Sequence, residues 1–135
     1  KGHIYFRPHP EVKKAYSQRI SAVREAHESG YRISMDLHEQ ETIDVGGYKI
    51  SRKDGCIHTD RSEVFAECGD YRTQCATPEL KDGYHVDIYV DDNLVEVFVN
   101  DGEYVISNAV YGLKKELWTD SKEKPEIYTV ESGKE

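Results

Sequence analysis

With 135 residues and a net charge of −8, the chain is most simply one domain that is long enough to bury a core. The acidic balance argues against a nucleic-acid partner, because no basic cluster is present to neutralise phosphates, and the apolar runs are too short to span a membrane. The three cysteines, Cys56, Cys68 and Cys75, have no metal-type spacing, which predicts free thiols in a reducing, cytoplasmic compartment.

The first residues predict a junction. The opening Lys-Gly-His-Ile-Tyr-Phe resembles neither a signal peptide nor a translation start, so we expect a piece of a longer protein. A short strand over residues 3–7 is expected to stop at Pro8 and Pro10, because proline cannot donate to a strand ladder. Apolar residues at near-helical spacing then predict a short helix over residues 11–17, whereas residues 18–28 are ambiguous.

From Tyr31 onward the apolar spacing changes to two, which is typical of strands. Residues 31–37 alternate in this way, and turn signals separate further short strands near residues 48–52, 56–60, 71–76, 113–118 and 127–130, with a loop over 61–70. Roughly nine short strands predict an all-β, antiparallel two-sheet β-sandwich of jelly-roll or concanavalin-like type. We therefore expect a junction with a short helix over residues 1–18 and a sandwich domain over residues 19–135.

Residues 84–112, YHVDIYVDDNLVEVFVNDGEYVISNAVYG, read as three alternating strands joined by two tight turns. Loops at Asp92-Asn93 and at Asp101-Gly102, the latter suited to positive φ, fix the register of this meander. The predicted pairs are Val90–Val95, Ile88–Val97, Val86–Val99, Val99–Tyr104 and Val97–Ile106, all on one buried face. The opposite face is mixed and should be partly covered; its members are Asp87, Tyr89, Glu96, Phe98 and Val105.

Carboxylates are the first candidates for catalysis. Glu96, Asp101 and Glu103 lie close in sequence, and a retaining glycosidase needs two carboxyl groups about 5 Å apart. Asp101 and Glu103, however, occupy or flank a tight turn. Because nothing around them would raise the pKa of one carboxyl by burial, we interpret them as structural.

Other reactive residue types form no recognisable site. The six histidines fall in separate predicted elements without paired ligand spacing, which favours surface positions over metal binding; they are His3, His9, His27, His38, His58 and His85. Ser62 lacks the strand-turn-helix elbow of a nucleophile, and no glycine-rich phosphate loop is present. We therefore predict no catalytic, cofactor-binding or metal-binding residue in this chain.

The stretch from His85 to Val105 resembles the C-terminal β-sandwich domain of glycoside hydrolase family 32, the family of the β-fructofuranosidases. Two shorter matches occur in the right order. Tyr5-Phe6-Arg7-Pro8 followed by Glu11 is similar to the junction that leaves the catalytic domain, with Phe6 in place of a more usual glutamine. Thr59-Asp60-Arg61-Ser62 is similar to the Asp-Arg-Ser strand end in the middle of the sandwich.

The resemblance implies that catalysis lies outside this chain. Family members resemble one another in a catalytic propeller with an Asp nucleophile in an Asn-Asp-Pro-Asn-Gly-like motif, an Arg-Asp-Pro motif and a Glu-Cys acid/base pair. This chain has Asn100-Asp101-Gly102 without the proline and Arg7-Pro8 without an aspartate between them. Its Glu67-Cys68 pair falls within the sandwich region, and we interpret it as a coincidence, since a fold match alone transfers no activity.

Three functions follow as hypotheses. The first is a non-catalytic accessory domain of an intracellular β-fructofuranosidase that supports the propeller and a homodimer contact, with the mixed sheet face as an exposed apolar patch. The second is a fructan- or fructose-binding module that uses exposed aromatic side chains such as Tyr89 or Trp118. For Trp118 we favour a partly buried position at a strand end. The third, an autonomous hydrolase, is the least favoured.

Overall fold

The computed structural model describes residue 8 and residues 15–26, 30–65 and 72–129. These residues contain eleven β-strands and two short 3-10 helices. The strands are β1 (Gln18–Ile20), β2 (Tyr31–Asp36), β3 (Thr42–Val45), β4 (Tyr48–Lys53), β5 (Cys56–Asp60), β6 (Gln74–Ala76), β7 (His85–Asp91), β8 (Leu94–Val99), β9 (Tyr104–Ala109), β10 (Leu117–Thr119) and β11 (Glu126–Thr129). The 3-10 helices are Val23–Glu25 and Ser62–Val64.

The strands form two antiparallel sheets that pack face to face. The larger sheet has the order β1-β11-β2-β7-β8-β9, and the smaller has the order β10-β3-β4-β5-β6. Within the described residues every strand pairing is antiparallel. The predicted all-β, two-sheet sandwich is thereby confirmed.

The meander of β7, β8 and β9 has the register that the sequence predicts. Val86 lies opposite Val99, and Ile88 lies opposite Val97. The next pair of strands sets Val97 opposite Ile106. The predicted positive φ angles are found at the second turn, where Asp101 and Gly102 have φ of 60° and 96°. A tight turn and two-residue alternation were therefore sufficient to fix all three strands.

The core lies between the two sheets and is almost entirely aliphatic. Side chains from both inner faces are fully buried there; they are Ile33, Leu37, Ile43, Val45, Tyr48, Ile50, Ile57, Ile88, Val86, Val95, Val97 and Val99. Each such side chain contributes about 1.5 to 3 kcal/mol by leaving water. Tyr48 is the largest of them, and its hydroxyl donates a hydrogen bond of 2.7 Å to Oδ1 of Asn108, so its polar atom is satisfied.

The predicted short helix over residues 11–17 is not seen. Residues 11–14 lie outside the described part of the chain, Ala15 is a single helical residue, and Tyr16 and Ser17 are not helical. The reason is that the chain enters β1 at Gln18, where it pairs with Thr129 of β11. The predicted strand over residues 3–7 and the Glu67-Cys68 pair also lie outside the described residues.

Two described strands, β1 and β3, were not predicted, and β10 starts four residues later than predicted. The late start has a local cause at Gly46, which follows β3. The Gly46 N–H donates to the carbonyl oxygen of Glu116, and the Lys114 N–H donates to that of Gly46. These two bonds hold the residues before β10 as a loop against the β3–β4 turn. Gly46 has a φ of 60°, and a Cβ placed there would lie 2.1 Å from the carbonyl oxygen of Lys114, so only glycine fits.

Candidate functional site

The Asn100-Asp101-Gly102 segment is a structural turn between β8 and β9. Asn100 has a φ of 51°, a conformation that asparagine tolerates better than most residues. Its side-chain oxygen accepts the N–H of His85 at 3.0 Å, and its amide nitrogen donates to the carbonyl oxygens of Asp82 and Gly83 at 3.0 Å each. Asn100 therefore joins the turn to the segment that leads into β7, and its polar groups are already engaged within the fold.

The structure does not bring the three predicted carboxylates together. Glu96 lies in the middle of β8, opposite Tyr89 and Ser107. The turn that carries Asp101 and Glu103 begins four residues later, which is roughly 13 Å along an extended strand. Within the turn, Glu103 accepts a hydrogen bond from the Asn100 amide at 3.2 Å. The arrangement lacks the close carboxyl pair that a retaining glycosidase needs between Glu96 and the turn.

The Asp60-Arg61-Ser62 segment has an architectural role. Arg61 is buried, and its guanidinium donates to the carbonyl oxygens of Arg72 and Ala109 at 2.6 to 2.9 Å. It thus ties the end of β5 to the residues before β6 and to the end of β9. Partial burial opposes ionisation of Asp60, but hydrogen bonds from Ser62 and Gln74 hold the pKa of its carboxyl below the ordinary value.

A charged cluster occupies the outer face of the larger sheet, where β2 and β7 pair. Arg32 and Asp87 form a buried ion pair of 3.1 Å, with side chains 10% and 11% exposed. His85 lies next to this pair, with Nδ1 at 2.8 Å from Asp36 and Nε2 at 3.5 Å from Asp87. The Arg32 guanidinium also lies 4.3 Å from the centre of the Tyr128 ring. No local pattern in the sequence predicts this cluster, because it forms only when β2 pairs with β7.

The two carboxylates around His85 favour its charged form. Hydrogen bonding to Asp87, and secondarily to Asp36, raises the pKa of His85 to about 9, against the opposing effect of partial burial. Asp36 is closer, but it is 58% exposed and screened by water, whereas Asp87 is only 11% exposed. The cluster therefore carries two cations and two carboxylates at neutral pH and is balanced internally, as expected of a structural network.

The aromatic side chains on this same face are covered. Tyr89 and Phe98 are each only 8% exposed, and their rings meet edge to face with centroids 5.5 Å apart. Tyr16, from the residues that precede β1, packs against Tyr89 with a centroid distance of 5.6 Å. The prediction of an exposed apolar patch here is wrong, and so is the choice of Tyr89 as an exposed stacking surface. The expectation that the mixed face is partly covered is confirmed.

Trp118, unlike Tyr89, is exposed. It lies on β10, at the edge of the smaller sheet, and is 57% exposed, so the favoured prediction of a partly buried anchor is wrong. Its indole borders a cleft of about 310 Å³ between the Gly46-Gly47 turn and residues 114–118. Three acidic residues and one lysine are among the residues that line this cleft; they are Asp44, Glu63, Glu116 and Lys114. A flat apolar surface beside hydrogen-bonding groups is an arrangement that binds small polar ligands.

Metal-binding clusters and membrane-spanning helices are not seen among the described residues. Among the described residues, no group of three or more His, Cys, Asp and Glu side chains could hold a metal ion, and no helix is long and apolar enough to cross a membrane. Cys56 and Cys75 are free thiols, and Cys68 lies outside the described residues.

Comparison with known proteins agrees with this architecture. No curated protein matches the chain. Among solved structures, a sucrose-6-phosphate hydrolase from Lactobacillus gasseri has a similar fold, with a TM-score of 0.72 and 18% sequence identity, over 98% of this chain and 32% of that one. The chain thus spans about a third of the length of that protein. The family model described as "Glycosyl hydrolases family 32 C terminal" matches residues 12–131. The chain therefore belongs to the family of glycosyl hydrolase family 32 C-terminal domains.

Proposed function

We propose that this chain is the non-catalytic C-terminal accessory domain of a cytoplasmic β-fructofuranosidase, a longer protein that hydrolyses sucrose, sucrose 6-phosphate or related fructosides. The observation that carries the proposal is the family match over residues 12–131. The Asn100-Asp101-Gly102 turn and the Asp60-Arg61-Ser62 segment support it, because both are used in holding the sandwich together. The free thiols of Cys56 and Cys75 support the cytoplasmic setting.

The accessory role we propose is to stabilise a preceding catalytic propeller. The support is that Tyr16, which precedes β1, packs on Tyr89 of the larger sheet. A chain entering from the propeller would therefore be anchored on a sheet face before the sandwich begins. The division into a junction over residues 1–18 and a jelly-roll-like sandwich over residues 19–135 belongs to the same proposal.

The test is the inactivation temperature of the longer protein, with sucrose 6-phosphate hydrolysis as the readout. We expect deletion of residues 19–135 to lower this temperature strongly. We expect Tyr16→Ala to lower it by several degrees, since an aromatic pair contributes about 0.5 to 1.5 kcal/mol beyond burial. Tyr111→Ala is the matched control, because Tyr111 is 72% exposed. A truncated protein as stable as the intact one would refute the accessory role.

Subunit contacts are a further part of the proposal. Leu94 supports it, since it is an exposed apolar side chain next to Asn93, whose carbonyl oxygen accepts a main-chain hydrogen bond from Val110. Sedimentation equilibrium of the longer protein and of its Leu94→Ser variant measures the effect. A dimer that persists unchanged in the variant would count against this contact.

The alternative function is a fructan- or fructose-binding module. One specific observation favours it, namely the exposure of Trp118 beside a cleft lined by polar groups. Tyr89 no longer supports it, because that ring is buried. The two functions are compatible, since the Trp118 cleft lies on the smaller sheet and the Tyr16 contact lies on the larger one.

A further inference from the structure

The geometry points to the Trp118 cleft as a binding site for a neutral saccharide, with one sugar ring stacked on the indole and its hydroxyl groups bonded to acidic residues that line the cleft, Asp44 and Glu116. This inference deepens the alternative function and does not depend on the accessory role. The site is expected to disfavour phosphorylated sugars.

Trp118 is largely exposed to solvent. Among the described residues, the large apolar side chains that are exposed are Leu94, Tyr111 and Trp118. Trp118 borders a cleft. Leaving 57% of an indole in water forgoes much of the stabilisation that its burial would give. The surroundings of the ring are polar, so it is not the centre of an apolar patch that would fit another protein surface.

The ring of Trp118 lies beside neighbours that are held in place by hydrogen bonds. Trp118 pairs with Asp44 across β10 and β3, so the two side chains stand on the same outer face. Asp44 is held in place, because its carboxylate accepts the Gly47 N–H at 2.8 Å. The Gly46 bonds to the residues before β10 fix the opposite wall of the cleft. The walls are thus set by hydrogen bonds before any ligand arrives, which lowers the entropic cost of binding.

The charged residues that line the cleft affect which ligand it can bind. Glu63 is already paired with Lys49, 2.6 Å away, outside the set that lines the cleft. Lys49 also attracts Asp44, so these two carboxylates share one ammonium group, and the other two charged residues that line the cleft, Glu116 and Lys114, have opposite charges. The excess negative charge opposes a phosphate, whereas a neutral sugar can donate hydroxyl hydrogens to carboxylates in charge-assisted bonds.

A neighbouring cleft lacks an exposed aromatic ring. A cleft of about 360 Å³ at the end of the sandwich is lined by Tyr31, Asp91, Asp92, Lys115 and neighbouring residues. Its only aromatic ring, that of Tyr31, is 5% exposed, so it offers no stacking surface. The Trp118 cleft alone, of these two, combines an open aromatic face with hydrogen-bonding groups. Its volume of about 310 Å³ is at the lower end of the range for small-ligand sites.

The test uses the fact that the chain has a single tryptophan, so its fluorescence reports on this cleft alone. The intact chain is titrated with sucrose, with a β-linked fructose trisaccharide, with sucrose 6-phosphate and with choline. We expect a saturable change in emission with the neutral sugars at millimolar concentrations. We expect affinity for sucrose 6-phosphate to be lower than for sucrose by about tenfold or more, the effect of one unfavourable charge contact.

Calorimetry on three variants then assigns the contacts. We expect Trp118→Ala to weaken neutral-sugar binding by about tenfold or more and Glu116→Gln to weaken it by a smaller factor. Tyr111→Ala, the exposed control, should leave it unchanged. Absence of saturable binding by either neutral sugar, tighter binding of sucrose 6-phosphate or choline, or unchanged affinity in Trp118→Ala would each overturn the inference. None of these outcomes affects the accessory role, which is measured by the inactivation temperature of the longer protein.

Discussion

Asn100 and His85 are joined by two hydrogen bonds that run in opposite directions. The Asn100 main-chain N–H donates to the carbonyl oxygen of His85 at 2.8 Å, and the His85 N–H donates to the Asn100 side-chain oxygen at 3.0 Å. One residue thus closes the ladder between β7 and β8 and also begins the turn to β9. In sequence the Asn-Asp-Gly segment resembles a part of a catalytic motif, but in the fold it is a clamp.

Replacing Asn100 with alanine tests this clamp. We expect a loss of about 2 kcal/mol in the free energy of unfolding, because the half-buried His85 N–H and the Asp82 and Gly83 carbonyl oxygens lose their partner and alanine is strained at positive φ. Asn100→Gly should lower the free energy of unfolding by less, because glycine has no strain at positive φ and only the side-chain hydrogen bonds are lost. Asn93→Ala, in the exposed β7–β8 turn, is the control and should change stability by less than about 0.5 kcal/mol. Urea denaturation measures all three, and equal losses in Asn100→Ala and Asn93→Ala would contradict the clamp.

Val97 tests which face of the meander is buried. Its side chain is fully buried, so Val97→Asp places an unpaired carboxylate in an apolar core at a cost of several kcal/mol. Because a whole domain is stabilised by only about 5 to 15 kcal/mol, we expect the cooperative melting transition to be lost. Val105→Asp, on the opposite face of the same meander, should keep the transition. Circular dichroism during heating distinguishes the two, and a folded Val97→Asp protein would show that the face is assigned wrongly.

The His85 cluster predicts a pH dependence of stability. The pKa of His85 is raised to about 9 in the folded protein from an unfolded value near 6.5. The folded state therefore binds the proton more tightly, and the stabilisation is complete below about pH 6.5 and is lost as pH rises through about 9. We expect the urea midpoint to fall across this interval and the fall to shrink in His85→Gln. His58→Gln is the control, because His58 contacts the main-chain carbonyl of Lys53 instead of a carboxylate. An NMR titration in which the His85 ring loses its proton near pH 6.5 would contradict this assignment.

Gly46 tests the contact that shapes the Trp118 cleft. A Cβ at Gly46 would lie 2.1 Å from the carbonyl oxygen of Lys114, whereas one at Gly112, with a φ of 75°, would meet no atom within 4 Å. We expect Gly46→Ala to lower the free energy of unfolding by more than about 2 kcal/mol and to shift the fluorescence of Trp118. Gly112→Ala should lower the free energy of unfolding by only about 1 kcal/mol, because it adds backbone strain but no clash. Similar losses in both variants would mean that the loop before β10 does not press on Gly46.

The success and failure of the sequence predictions follow from how local each feature is. The register of β7, β8 and β9 depends on neighbouring residues and tight turns, so alternation alone gave it. The Arg32, His85 and Asp87 cluster requires β2 to pair with β7, and those strands lie about fifty residues apart in sequence. The four residues of β3 are too few to establish a period.

Exposure was the property that sequence reasoning predicted least well. Tyr89 and Trp118 both stand on outer sheet faces, yet Tyr89 is buried and Trp118 is exposed. The difference is what lies over each ring. Tyr16 covers Tyr89 from an earlier part of the chain, whereas Trp118 is on an edge strand beside a cleft. Neither the contact with Tyr16 nor the edge position of β10 can be predicted from the residues next to each ring in sequence.

The most direct measurement of the central claim is a hydrolysis assay on the isolated chain, with the longer protein assayed in parallel. Sucrose and sucrose 6-phosphate are incubated with the purified chain, and released hexose is quantified against buffer alone. The account predicts no turnover by the chain and clear turnover by the longer protein, because Glu96 lies in the middle of β8 and is separated along the strand from the turn that carries Asp101 and Glu103. Turnover by the isolated chain that survives repeated purification, and that is lost in Glu96→Gln or Asp101→Asn, would contradict it.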